Sequence, residues 1–352
     1  MDLPASPSPA GRFVTREAEE LLLVNRRHAL RAAVAFAACS GLPVQGVRAQ
    51  QQGKLARIGY LAIGAPETST ATFRALEEGL REQGLIEGRN VELVYRWAHG
   101  SVDALPGLAN ELVRLPVDVI LAANNTAIAA AKRATATIPI VMVLGIDPVR
   151  NGFIESFARP GRNITGLTND AGQAMHGKML GLLQELVPAA SVIGVLVQHG
   201  LGFDREAVDR AARQLKIQLH YAPEVRQSED IEPAFEWIKR AGAQAAYVIG
   251  GATFYQNRQA VAELGLRHRL ACMHFAAEYV RAGALVSYGT DLRAQTRRAA
   301  FYVARILAGA KPSELPVEQP ARFELAINAG TAKALGLVVP TSLLLRADEV
   351  IR

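Results

Sequence analysis

Two doubly wound α/β lobes joined by a multi-strand hinge are predicted for this chain of 352 residues by three features. From Leu55 onward, short apolar runs alternate with stretches whose apolar residues recur at helical spacing, the pattern of βαβ units and a parallel sheet. The whole series then runs a second time, offset by roughly 130 residues, too long for a solenoid repeat and about right for a small α/β domain. Short extended segments marked by Pro and Gly lie between the halves. A chain above ~250–300 residues usually splits its core in this way.

In the first half, Arg57–Gly64 reads as a strand closing on glycine. Thr70–Gln83 reads as a helix, with Phe73, Leu76 and Leu80 on one face. Asn90–Arg96 is the second strand and Asp103–Arg114 the second helix, with Asp103 as its N-cap. Val117–Ala122, the alanine-rich Thr126–Ala136 and Ile138–Gly145 complete the series. Their equivalents in the second half are Val192–Val197, Ile217–Tyr221, Ala245–Gly250 and Leu270–His274. Three strand-like runs, Ile164–Thr168, Ala284–Gly289 and Phe323–Asn328, are expected to cross between the lobes as a hinge. Lobe 1 is placed at 55–165 with 289–312 returning to it, and lobe 2 at 166–285 with 316–352 completing it.

Residues 1–49 differ from the rest. A basic segment (Asn25–Arg31), a short apolar run (Ala32–Leu42) and Val47-Arg-Ala49 before Gln50 form a three-part export signal. The apolar run is shorter than the ~20 residues that span a bilayer. The chain is therefore expected to be periplasmic. Arg26-Arg27 hints at the twin-arginine route, and Phe36-Ala-Ala-Cys-Ser40 is a poor lipidation site at Cys39. Cleavage after Ala49 leaves only Cys272, which excludes an intramolecular disulfide and a cysteine-based metal site. The net charge of +6 is not gathered into a basic stripe interleaved with aromatics, so no nucleic-acid partner is expected. A monomer is expected.

Ligands of open parallel sheets bind beyond the carboxyl ends of the strands. That rule selects Ala65 in the loop after the first strand, Asn124, Asn125 and Thr126 after the third, and Asp147 after the fourth. A helix start at Asn125 can receive an anion, and Asp147 can balance an ammonium group. The same residues also suit ordinary capping: Asn124, Asn125 and Thr126 on their own helix, Asp147 ahead of Pro148. In the second half the rule selects Gln198, Phe254, Tyr255, His274 and Glu278. Asn169 and Tyr288, at two crossings, complete the candidates. The aromatics serve equally as core or rim, and His274 equally as a hydrogen-bonded histidine.

No catalytic, cofactor or metal signature is present: no Gly-x-Ser-x-Gly, no phosphate loop, no Gly-x-Gly-x-x-Gly and no His-Glu-x-x-His. No cofactor and no metal are expected. A racemase using one thiol from each lobe would need two cysteines. The alternatives are an enzyme with Asp147 or Glu278 as its acid, and a module presenting ligand to a sensor.

A series of short motifs carries a family likeness. It includes Ile58-Gly-Tyr-Leu61, Glu87-Gly-Arg-Asn90, Tyr95-Arg-Trp97, Ala134–Val141, Asp147-Pro-Val149, Arg159-Pro-Gly161 and Asn163-Ile-Thr-Gly166. It continues with Ser287-Tyr-Gly289, Gly309-Ala-Lys-Pro312, Phe323-Glu-Leu325, Thr331–Gly336 and Arg346–Val350. In this order the chain resembles the periplasmic substrate-binding components of ABC transporters, in the tryptophan/tyrosine-type group with the type I periplasmic-binding-protein fold. The resemblance implies two Rossmann-like lobes that close on a small-molecule ligand and deliver it to a membrane permease; some related proteins bind aromatic amino acids. Two cleft loops depart from the family pattern. Ala252-Thr253 stand where an acid and proline often follow the strand, and His274-Phe-Ala-Ala277 stands where a Tyr-Glu-Phe-Arg-like run is usual.

Overall fold

The computed structural model describes residues 55–169, 172 and 174–352. The export signal expected at 1–49, Cys39 included, lies outside them. The described chain builds two sheets. The first contains β1 (Ala56–Ala62), β2 (Val91–Trp97), β3 (Val119–Asn124), β4 (Ile140–Gly145) and β5 (Ile164–Thr168) in the order β2-β1-β3-β4-β5, all parallel. The second contains β6 (Val192–Val197), β7 (Gln218–Tyr221), β8 (Ala245–Ile249), β9 (Ala271–His274) and β10 (Val286–Gly289), extended by β11 (Glu324–Asn328) and β12 (Glu349–Ile351). Read from β7, its order is β7-β6-β8-β9-β10, the first sheet's topology again. β11 runs antiparallel to β10.

The reason for this architecture is visible in β4. Ile140 and Met142 enter one core while Val141 and Val143 enter another. Alternate side chains of a strand point to opposite faces, so a strand that is apolar throughout needs a cover on both. One cover is α2 (Leu105–Arg114) and α3 (Asn125–Ala134). The other is α1 (Thr70–Glu82), which buries Leu76 and Leu80, together with α10 (Leu292–Leu307), which buries Ala299, Ala300 and Val303. Gly79 lets these two helices touch: a Cβ there would run into the carbonyl oxygen of Arg297.

In the second lobe α4 (Ala174–Leu186) and α5 (Arg205–Gln214) pack on one face, and α6 (Ile231–Arg240) and α8 (Arg258–Arg267) on the other. The short α7 (Ala252–Gln256) and α9 (Ala277–Arg281) follow β8 and β9, while α11 (Ala329–Ala334) and α12 (Thr341–Arg346) close the chain. Asp103 does not cap α2. It lies in a 3-10 turn, Val102–Ala104, that feeds directly into the helix, and makes no cap bond.

The three runs read as crossings are full members of the sheets, and the chain passes between lobes just after β5 and β10 and just before β11. β5 extends the first sheet to Thr168, past the boundary expected at 165, because its backbone follows β4; β10 likewise carries the second sheet past 285. The crossing peptides are bonded to one another. The Thr290 hydroxyl donates to Asn169 Oδ1. The Thr168 N–H donates to the Glu318 carbonyl and the Glu318 N–H to the Gly166 carbonyl, each at 3.0 Å.

Candidate functional site

In the strand order 2-1-3-4-5, the crevice opens where neighbouring strands send their connections to opposite faces. Here that point lies between β1 and β3 in one lobe and between β6 and β8 in the other. The loops beyond these ends face each other across a cavity of about 100 Å³. Lobe 1 contributes Tyr60 and Gly64, Ser69 and Thr72, Asn124 and Asn125, and Val143 to Ile146 without Gly145; lobe 2 contributes Leu201, Gly250 to Ala252, Tyr255, Gln256 and Phe275. A second chamber of about 180 Å³ shares Ile146, Asn169, Leu201, Gly250 and Phe275 with it. Asp147, His176, Asp204 and Tyr247 line this second chamber.

The loops are fixed by polar side chains. Asn125 is buried and fully bonded. Its Nδ2 donates to the carbonyls of Ile146 and of Leu201 in the other lobe, both at 2.8 Å, and its Oδ1 accepts from the Ile146 N–H at 2.8 Å. Asn124 Oδ1 caps α3, accepting from the Ala127 N–H at 3.1 Å and the Thr126 hydroxyl at 2.8 Å. Asp147 precedes no helix, so it is not an N-cap. Its φ is +44°, and its carbonyl accepts from the N–H and Nδ2 of Asn151 at 3.0 Å. Asn151 Nδ2 also donates to the Gly202 carbonyl at 3.0 Å, and Arg150 pairs with Asp204 at 2.6 Å. The 146–151 and 201–204 loops are thus latched together across the lobes.

Of the sequence candidates, Asn124, Asn125, Asn169 and Tyr255 line the first chamber, and Asp147 and Asn169 the second. Ala65 is bent back in a turn with Thr68, and Thr126 is tied to Asn124. Gln198 is buried behind the cavity wall, where its Oε1 accepts from the Thr253 N–H at 2.8 Å and so holds the Gly250–Gly251 loop. Phe254 is wholly in the core under the second sheet, because α7 turns it inward while Tyr255 points out. His274 is fully buried and stacked on Tyr279 at 4.3 Å, with both ring nitrogens unpartnered. Burial pushes its pKa down to about 3. Glu278 lies 3.7 Å from Arg281, its carboxyl raised mainly by burial, outside both chambers. Tyr288 stacks on Phe323 at 5.8 Å and packs against the lobe 2 core.

Sequence reasoning missed Tyr60, Gln256, Phe275, His176 and Tyr247. Tyr60 and Tyr247 lie inside runs read as buried strands, and His176 Nδ1 meets Tyr247 Oη at 2.7 Å only through tertiary folding. Phe275 was detectable as the residue just beyond β9. The Tyr255 phenol is raised to about 12, first by burial and then by Glu278. The Cys272 thiol is raised to about 12 by burial alone, which keeps it protonated and unreactive. Among the described residues no cluster of His, Cys, Asp and Glu suits a metal ion, and no helix is long and apolar enough to cross a membrane.

Two like lobes with a cavity between their strand tips define a class of bilobal solute-binding proteins. Residues 63–351 match the family described as ABC transporter substrate binding protein, and the chain belongs to that family. A tyrosine-binding protein of Clostridioides difficile is 25% identical over 262 residues, 74% of this chain and 75% of that protein. A conserved domain protein of Vibrio cholerae has a solved structure with a TM-score of 0.79 and 27% identity, covering 84% of this chain and all of that one. The ABC domain from Streptococcus pneumonia in complex with L-Trp gives 0.78 at 21% identity, over 85% of this chain and all of that one.

Proposed function

We propose that this substrate-binding protein is exported to the periplasm, captures a small molecule between its lobes without chemical change, and hands it to an ABC permease in the membrane. The observation that carries the reading is that the cavity is walled from both lobes at once, by Tyr60 and Asn124 on one side and Gly250 and Tyr255 on the other. A ligand there bridges the lobes and favours the closed state through contacts the open state lacks. The lobes that move are the two sheets with their helices, the crossing peptides at Asn169, Thr290 and Glu318 forming the pivot.

A thermal-shift screen of amino acids, aromatic acids, amines and nucleosides on the full chain tests this. A ligand at a hundredfold excess over its dissociation constant stabilises the native form by about 2.7 kcal/mol, and the ligand is expected to be recovered unaltered. Conversion of a bound compound to product, or no shift from any class in the library, refutes capture without chemistry. Recovery of the chain from the cytoplasm alone refutes export.

A further inference from the structure

We infer that the first chamber holds a carboxylate of the ligand between the lobes, anchored by Ser69 and Tyr60 of lobe 1 and by Gln256 of lobe 2. This deepens the capture reading above and rests on it. The corner of the chamber at Gly64 gathers these groups. A Cβ at Gly64 would stand 2.9 Å from Ser69 Oγ, 3.4 Å from Gln256 Nε2 and 3.7 Å from the Trp97 ring. The Tyr60 ring lies 5.2 Å from that of Trp97. Gln256 belongs to α7, so it reaches this corner from the opposite lobe. Its Nε2 is buried without a partner, whereas buried polar atoms are normally satisfied. Tyr60 is only 4% exposed, and its hydroxyl, at the chamber wall, has no hydrogen-bond partner among the described residues. Burial keeps that phenol protonated and able to donate.

Ser69 precedes α1, a helix of 13 residues whose first N–H groups have no side-chain cap. The positive end of its dipole opens on the same corner. Ser69, Tyr60 and Gln256 can all donate, and no acidic side chain is among the chamber's described lining residues. A carboxylate accepts several hydrogen bonds at once, and bonds to an ionised acceptor are the shorter and stronger kind. Two or three such donors hold a carboxylate ionised without a cation beside it. An ammonium group there would face the Gln256 N–H and the positive end of α1 instead. The apolar wall of Val143, Leu144 and Phe275 takes the rest of the ligand, a flat body. Because Gln256 comes from lobe 2, the set of donors is complete only with the lobes together, and the carboxylate favours the closed state over the open one.

The test is calorimetry on the full chain with two matched series: L-tyrosine, 4-hydroxyphenylpropionate and tyramine; L-tryptophan, indole-3-propionate and tryptamine. In at least one series a carboxylate-bearing member is expected to bind about ten times more tightly than the amine, or better. Gln256→Met keeps the length of the side chain and removes its N–H, and is expected to weaken that compound about tenfold. Gln256→Glu adds a like charge and should weaken it further; Tyr60→Phe should weaken it about fivefold. Melting without ligand identifies the variants that fold as the parent does, and either Gln256 variant suffices. Amines that bind as tightly as their carboxylate-bearing counterparts in both series overturn the inference and leave capture standing. Affinity indifferent to Gln256→Met and to Gln256→Glu overturns it as well. Failure of all six compounds overturns it too; capture falls with it only if the wider library also fails.

Discussion

His274 occupies the last position of β9, stacked on Tyr279 and beside Ser287 of β10, whose hydroxyl is also unpartnered. Its folded pKa of about 3 lies below the unfolded value of ~6.5. Between these values the unfolded chain binds a proton that the folded chain refuses, so stability falls as pH drops below ~6.5. From pH 6.5 to 5 this one residue is expected to cost about 2 kcal/mol. His274→Phe keeps the stack and removes the proton. Urea titrations at the two pH values should show a correspondingly smaller acid loss in the variant; equal slopes would contradict the assignment. Asn125 is the opposite case, a buried polar residue with every bond made. Asn125→Ala strands the Ile146 N–H and the Ile146 and Leu201 carbonyls, and is expected to cost about 2 kcal/mol or more in the urea midpoint.

Two glycines separate packing from propensity at the scale of the helix. Gly79 on α1 lies against the Arg297 carbonyl of α10, so Gly79→Ala overpacks a backbone contact and is expected to destabilise by about 1–3 kcal/mol. Gly107 on the exposed face of α2 has open space where its Cβ would stand. There the same substitution is expected to stabilise by about 0.5–1 kcal/mol, since alanine loses less backbone entropy in a helix. Thermal or urea unfolding of the pair checks both signs. Most of the elements were legible because their apolar periodicities were regular. The initiation of α2 was not: Asp103 has the chemistry of a cap, but a 3-10 turn supplies the helix start instead.

Across the whole molecule, the 146–151 and 201–204 loops are joined by the Arg150–Asp204 pair and the Asn151–Gly202 hydrogen bond. Arg150 is half exposed, and such pairs contribute at most about 1 kcal/mol, enough to move an open–closed ratio roughly fivefold. The double variant Arg150→Ala, Asn151→Ala is expected to show a larger scattering radius without ligand and to recover the compact value at saturation. An unchanged radius would mean that these loops do not latch the lobes. The sequence alone determined the duplicated α/β architecture, because hydrophobic periodicity is a local property and recurs wherever the same elements recur. It also marked the strand tips as the edge where a cavity opens, since that follows from parallel topology. Only the tertiary structure decided which tip residues face the cavity. Phe254 and Tyr255 are neighbours in the chain and differ only in which way a short helix turns them; Gln198 and His274 sit at strand ends and yet lie buried behind the cavity wall. Side-chain direction at a strand tip is set by what packs on it from other elements of the fold, as Thr253 does on Gln198 and Tyr279 on His274, and that contact is not written in local spacing.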